Sequence, residues 1–210
     1  AVLCGLSYSA GQEFTNQVVR TYKISNETSV DVVNKYGKIH VVTWDRDSVR
    51  FIINLRIQNK DPQKLERIKE NISFEFTPAS YYVMAKTVIG DGTQDVIKDL
   101  VDIAGSYFSA QNQIKIDYTI MVPSYTSLKI ENKFGDTYLD DRQGNLKLTL
   151  SYGDFKANNL NGNSVIKISS GDAEINSMSD GQISVSYSNL HVGNARKLLV
   201  ESRSSNVTLD

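Results

Sequence analysis

Cysteine is nearly absent from this chain of 210 residues: there is one, Cys4, near the start. If the first residues are removed, no disulfide or thiolate metal site supports the rest. Histidine is almost as scarce, with only His40 and His191 to serve as general base or zinc ligand. There is no excess of one charge. Lys and Arg number 23 against 24 Asp and Glu, a formal charge of -1, which argues against a dedicated nucleic-acid or anionic-membrane binder. Beyond the first few residues, no run approaches the roughly 18 apolar residues of a spanning helix. No G-x-S-x-G elbow occurs either. What remains is an ordinary globular composition, 40% hydrophobic and 22% charged, long enough to bury a core.

The first eleven residues differ from the rest. Ala1 to Leu6 is apolar, and Ser7 to Gly11 is a run of small residues broken by Tyr8. This reads as the end of a signal peptide, with cleavage after Gly11 leaving Gln12 first. Leu3 before Cys4 is too bulky for a lipid-anchoring signal.

Internal repetition organises the chain. The turns Phe134-Gly135-Asp136, Tyr152-Gly153-Asp154, Ser170-Gly171-Asp172, Tyr187-Ser188-Asn189 and Ser204-Ser205-Asn206 have centres spaced 18, 18, 17 and 17 residues apart. Five positions before the centres stand Ile130, Leu148, Ile166, Ile183 and Val200; four after stand Leu139, Ala157, Ile175, Val192 and Leu209. Polar residues alternate with them, as in short strands with one buried face. Glycine at the bend accepts positive φ without steric cost, and Asn or Asp tolerate it next best. One such unit cannot bury its own apolar stripe, but stacked units can. The expected fold is therefore mainly β, a parallel β-helix or β-solenoid. The hexapeptide pattern of left-handed β-helices is absent, which favours a right-handed coil.

A sixth copy, Tyr36-Gly37-Lys38, lies upstream with Val30, Val32, Ile39 and Val41 at matching offsets. The material between begins with a strand through Val49, Phe51, Ile53, Leu55 and Ile57. A helix follows, with Asp61 as N-cap and Pro62 in its first turn, presenting Leu65, Ile68 and Ile72 on one face. Strands are expected at Ile72 to Phe76, at Tyr81 to Ala85, and from Ile114 to Val122. Residues 87–112 read either as a loop or as a helix capped by Thr93 and ended by Gly105. The insertion is expected to cap the stack. The expected divisions are 1–11, a signal remnant; 12–123, a β-rich region with an early coil and a helix; and 124–210, five coils. The sequence ends on a strand, so more coils or a cap follow, or that edge pairs with another chain.

Chemistry is sparse. His40 and His191 each stand three residues after a bend centre, between inward positions, and should face solvent. Gly90-Asp91-Gly92 lacks the lysine and strand-to-helix setting of a phosphate loop and reads as a turn. Asp136, Asp154 and Asp172 form a carboxylate column, readable as a weak calcium site or as support for the bends. Asp140 and Asp141 are adjacent and point to opposite faces, whereas Glu174 and Glu201 fall at different offsets. None of these makes the facing pair that glycoside hydrolysis needs. One residue before the bends runs an aromatic column, Tyr36, Phe134, Tyr152 and Tyr187, interrupted by Ser170 and ended by Ser204. It could stack on sugar rings or a peptide, or stiffen the bends.

Four features resemble the bacterial putative adhesin families of unknown function, the β-solenoid group that includes the head GIN domain auto-transporter adhesins. They are Asn34-Lys35-Tyr36-Gly37-Lys38-Ile39 with Thr43-Trp44-Asp45, the helix from Asp61, the strand ending Met121-Val122-Pro123, and the Gly-Asp series. Together they cover most of residues 24–210. Ser188 and Ser205 depart from the pattern by replacing the bend glycine. The resemblance implies an exported protein (periplasmic, at the outer surface or secreted) that binds a protein or glycan at the cell envelope, with no catalytic residues to carry over. The expectation is a non-enzymatic adhesin or scaffold. The alternatives are an enzyme acting on surface polysaccharide and a periplasmic stress-sensing or scaffold component.

Overall fold

A computed structural model describes residues 12–90 and 113–210. The signal-peptide reading of 1–11 and the helix-or-loop reading around Thr93 lie outside the described residues. Four strands come first: β1 (Gln12–Lys23), β2 (Ser29–Lys35), β3 (Ile39–Thr43) and β4 (Ser48–Asn59). Helix α1 (Pro62–Glu70) follows, then β5 (Ile72–Pro78), β6 (Tyr82–Ile89), β7 (Gln113–Val122), β8 (Leu128–Lys133), β9 (Thr137–Leu139) and β10 (Leu146–Ser151). The long strands β11 (Phe155–Ser169), β12 (Ala173–Ser186) and β13 (Asn189–Arg203) lead to β14 (Asn206–Leu209). The chain is thus mainly β, with one helix among the described residues.

The strands form one mixed sheet that runs out from β1 to β11, returns to β5, and nearly closes like a barrel. A parallel coil with a sheet inserted in the N-terminal region was expected. The repeats do pair in parallel, but β1 with β4, β4 with β7, and β5 with β6 are antiparallel. Alternation reports which face a residue takes and not the direction of its neighbour, so these pairs could not be read in advance.

Within the parallel part, register brings the repeat positions together. Val32, Ile130, Leu148, Ile166, Ile183 and Val200 are successive cross-strand neighbours. So are Val41, Leu139, Ala157, Ile175, Val192 and Leu209. All but the last of each column are buried, in one continuous core. Each buried aliphatic side chain contributes on the order of 1.5–3 kcal/mol, and that burial opposes any slip in register. A one-residue slip would turn the whole column outward.

The upstream segment adds an aromatic cluster to this core, with Tyr22, Phe51 and Phe76 rings 6.0–6.4 Å apart. Helix α1 starts where Asp61 Oδ1 accepts the amides of Gln63 and Lys64 at 2.9 and 3.3 Å. It packs Leu65 and Ile68 inward against β1, β4 and β5. No helix among the described residues is long and apolar enough to cross a membrane.

Candidate functional site

The bends between strands carry the chain's most regular surface chemistry. Tyr36, Phe134, Tyr152, Ser170, Tyr187 and Ser204 all adopt left-handed backbone, with φ between 49° and 66°. Left-handed geometry was expected at the glycines that follow, but no described glycine has positive φ. Those glycines are needed for close approach. A Cβ on Gly135 would lie 2.1 Å from the Gly37 carbonyl oxygen, and one on Gly153 would lie 2.2 Å from that of Gly135. The aromatic or serine residue therefore takes the strained conformation while the glycine takes the crowded place.

The aromatic column does not present one uniform face. Tyr36 is only 7% exposed and stacks on Phe134 at 5.5 Å, with ring planes 7° apart. Phe134 in turn stacks on Tyr152 at 5.1 Å and 13°. Lys35 caps the Tyr36 ring and Lys133 lies over Phe134, with ammonium-to-centroid distances of 5.1 and 5.0 Å. Tyr36 therefore lacks the accessible face needed to contact a partner. Tyr152 and Tyr187 are 54% and 60% exposed.

The carboxylate column is tied to the backbone. Asp136 Oδ1 accepts the amide of Asp154 and Asp154 Oδ1 that of Asp172, each at 2.9 Å. Asp172 Oδ1 accepts both the backbone amide and the side-chain Nδ2 of Asn189, at 3.0 and 2.9 Å. Each side chain thus clips the next rung. Tyr138 donates its hydroxyl to Asp136 Oδ2 at 3.0 Å; burial and that carboxylate push the phenol's pKa up. Among the described residues, no three His, Cys, Asp or Glu side chains gather closely enough to hold a metal ion.

Beside this column, strands β9 and β11 to β13 present Tyr138, Lys156, Glu174 and His191 outward in register. Lys156 Nζ lies 2.8 Å from Glu174 Oε2; the contact raises the ammonium's pKa and lowers the carboxyl's. His191 Nε2 lies 3.4 Å from Asp210 Oδ2. His40 is exposed on β3, its ring edge-on to Tyr138. Two open grooves of about 580 and 500 Å³ run along this face, both touching Lys156, Glu174 and His191. Asp140 and Asp141 are occupied locally, accepting the amides of Thr43 and Asn159. Glu201 lies at an exposed position on β13, paired in register with Ser184, and Glu174 and Glu201 stay at different offsets.

One residue with no place in the sequence reading is Arg142, which is 1% exposed. Its guanidinium donates to the carbonyls of Pro123 and Thr126 at 2.7 and 2.8 Å and to Thr43 Oγ1 at 3.2 Å, while Nε has no partner. Burial depresses its pKa to about 10, opposed by the charge of Asp140. The signal was present. Arg142 pairs with Leu160, which pairs with Met178, so it occupies an inward position of the repeat. It holds the 122–126 turn against the first repeats.

No family model matches the chain, and no curated protein matches it. Among solved structures, one similar chain is a putative cell adhesion protein from Clostridium sporogenes, at 8% identity and TM-score 0.41, covering 93% of this chain and 99% of that one. Another is a putative adhesin from Bacteroides fragilis, at 10% identity and TM-score 0.39, covering 92% and 96%. A putative lipid binding protein from Parabacteroides distasonis aligns over 92% and 97%, at 11% identity and TM-score 0.25.

Proposed function

We propose that this chain is a non-catalytic, exported protein of the cell envelope or surface that binds an extended partner through its stacked β-repeats, which we read as a β-solenoid. The observation that carries the reading is the in-register repetition of outward side chains across β9 and β11 to β14. Parallel neighbours repeat roughly every 4.8 Å, so a glycan or an extended protein segment meets an outward polar group at every rung. Many weak contacts then add up along the rungs.

The state of the carboxylates supports binding over turnover. Asp136, Asp154 and Asp172 accept hydrogen bonds from neighbouring rungs, and Glu174 is paired with Lys156. A hydrolase of polysaccharide needs two carboxyls facing one groove and available for proton transfer. The test is a glycan array beside a capture experiment from envelope extract, each run on the native chain and on the Tyr152→Ala, Tyr187→Ala double variant. Saccharide or partner signal lost in the variant supports the reading. Turnover of a polysaccharide that a single carboxylate substitution abolishes would replace it with the enzyme reading.

A further inference from the structure

Strand β14 pairs with only the first part of β13, residues 189–192. Residues 197–203 of β13 have β12 on one side and no strand among the described residues on the other. Apolar side chains collect at this edge. Leu199 is 57% exposed, Leu209 56% and Val207 38%, while Leu198 and Val200 are only partly buried. Ile166 and Ile183, which precede Val200 in its inward column, are fully covered.

The free edge has a definite hydrogen-bonding phase. The Tyr187 amide donates to Arg203 O at 3.0 Å, so Arg203 turns its carbonyl towards the preceding rung. Backbone groups of successive residues point to opposite sides of a strand. Leu199 and Glu201 therefore bond towards β12, and Leu198, Val200 and Ser202 turn their N–H and C=O groups to the open side. A row of unpaired groups of this kind is a template for another strand.

Antiparallel pairing of this edge with its own copy is selective for register. Centred on Leu199, it sets Leu198 against the partner's Val200 on the inward face, in hydrogen-bonded pairs. Leu199 then meets the partner's Leu199 in a non-hydrogen-bonded pair, where side chains approach most closely. Lys197 meets the partner's Glu201, once at each end. Other registers lose this match. Centred on Val200, Lys197 would face Arg203 and Leu199 would face Glu201. Centred on Glu201, the two glutamates would oppose each other.

We infer that the chain forms a two-fold, tail-to-tail dimer through β13, paired about Leu199. Val207 and Leu209, at inward positions of β14, are covered by the same contact. A further rung of chain would cover Val200 but leave Leu199 in solvent, because Leu199 pairs with Gln182 on the outward face. A second copy accounts for both. The contact is isologous, so it closes at two copies. It does not rest on the ligand-binding reading, although two repeat faces joined end to end would bind a long partner with greater avidity.

The test follows the full chain by sedimentation velocity from low micromolar to several hundred micromolar concentration. The expected result is a reversible monomer–dimer equilibrium with no larger species. Lys197→Glu alone opposes two carboxylates at each end of the contact, and Glu201→Lys alone opposes two ammonium groups. Each should weaken dimerisation about tenfold or more. Mixed in equal amounts, the two variants regain opposite charges at both ends and should pair about as well as the native chain. Lys115→Glu makes the same charge change on β7, in mid-sheet, and should leave dimerisation unchanged. Hydrogen exchange at the Leu198 and Val200 amides should slow as the dimer forms. A native chain that stays monomeric throughout overturns the inference, as does a mixture that pairs no better than either variant alone. So does a loss with Lys115→Glu as large as with Lys197→Glu. Assembly that continues past the dimer, or a dimer that leaves the Leu198 and Val200 amides unprotected, uses another surface and overturns it too.

Discussion

The bends at Gly37, Gly135, Gly153 and Gly171 and those at Ser188 and Ser205 make the same turn by different means. Their preceding residues share left-handed backbone, with φ of 57–66° before the glycines and of 54° and 49° before the serines. In the glycine bends, backbone rests on backbone: a Cβ on Gly171 would lie 1.9 Å from the Gly153 carbonyl oxygen. In the serine bends the side chain becomes the link. Ser188 Oγ accepts the Gly171 amide at 3.4 Å and donates to Ser186 O at 2.9 Å. The Ser188 amide in turn donates to Ser205 Oγ at 3.1 Å. The residue type at the bend centre therefore reports how one rung meets the next, while the turn itself is set one residue earlier.

This contrast predicts unequal costs for alanine. Gly153→Ala puts a Cβ 2.2 Å from backbone that cannot move alone. The expected loss is about 2–3 kcal/mol, in the upper range for overpacked sites, measured as a lowered midpoint of chemical unfolding. Asp172→Ala comes next. It removes the acceptor for two donors of Asn189, where the glycine rungs meet the serine rungs, and should cost about 1–2 kcal/mol. Asp172→Asn should recover most of that, because its amide oxygen still accepts. Ser188→Ala keeps a Cβ already accommodated and loses only the bridging hydroxyl, about 1 kcal/mol. Equal losses for Gly153→Ala and Ser188→Ala would erase the distinction between the two stacking modes.

The interior was legible because burial imposes a period. Leu148, Ile166 and Ile183 recur at nearly constant spacing, and they are neighbours in the sheet. Where the pattern broke, sequence reading missed structure. β1 touches the core only through scattered positions such as Phe14, Val18 and Tyr22. It pairs along an edge and shows no period of two. Arg142 hid behind its charge although its offset matched Leu160. Tyr36 shared the aromatic position of Tyr152, but β7 passes close beside its rung: a Cβ on Gly37 would meet the Ile116 carbonyl at 2.1 Å. That contact depends on β7, a strand distant in sequence that pairs in parallel with β3, and nothing local in the sequence records it.

The smallest effect is the sharpest check on where the strain sits. Ser170 holds φ at 59°, which costs a residue with a Cβ roughly 1–2 kcal/mol relative to ordinary helical backbone. Ser170→Gly removes that cost but loosens the unfolded chain, returning about 0.4–1 kcal/mol. The net expectation is a gain in stability of about 0.5 kcal/mol, read as a small rise in unfolding midpoint. At Tyr152 the same change also loses the stack on Phe134, about 0.5–1.5 kcal/mol, so Tyr152→Gly should fall below the native chain. Opposite signs at two rungs with the same backbone geometry would show that ring stacking offsets left-handed strain in the aromatic column. If both variants lose stability alike, the bend conformation is not the strained element, and the division of labour between the turning residue and the crowded glycine fails with it.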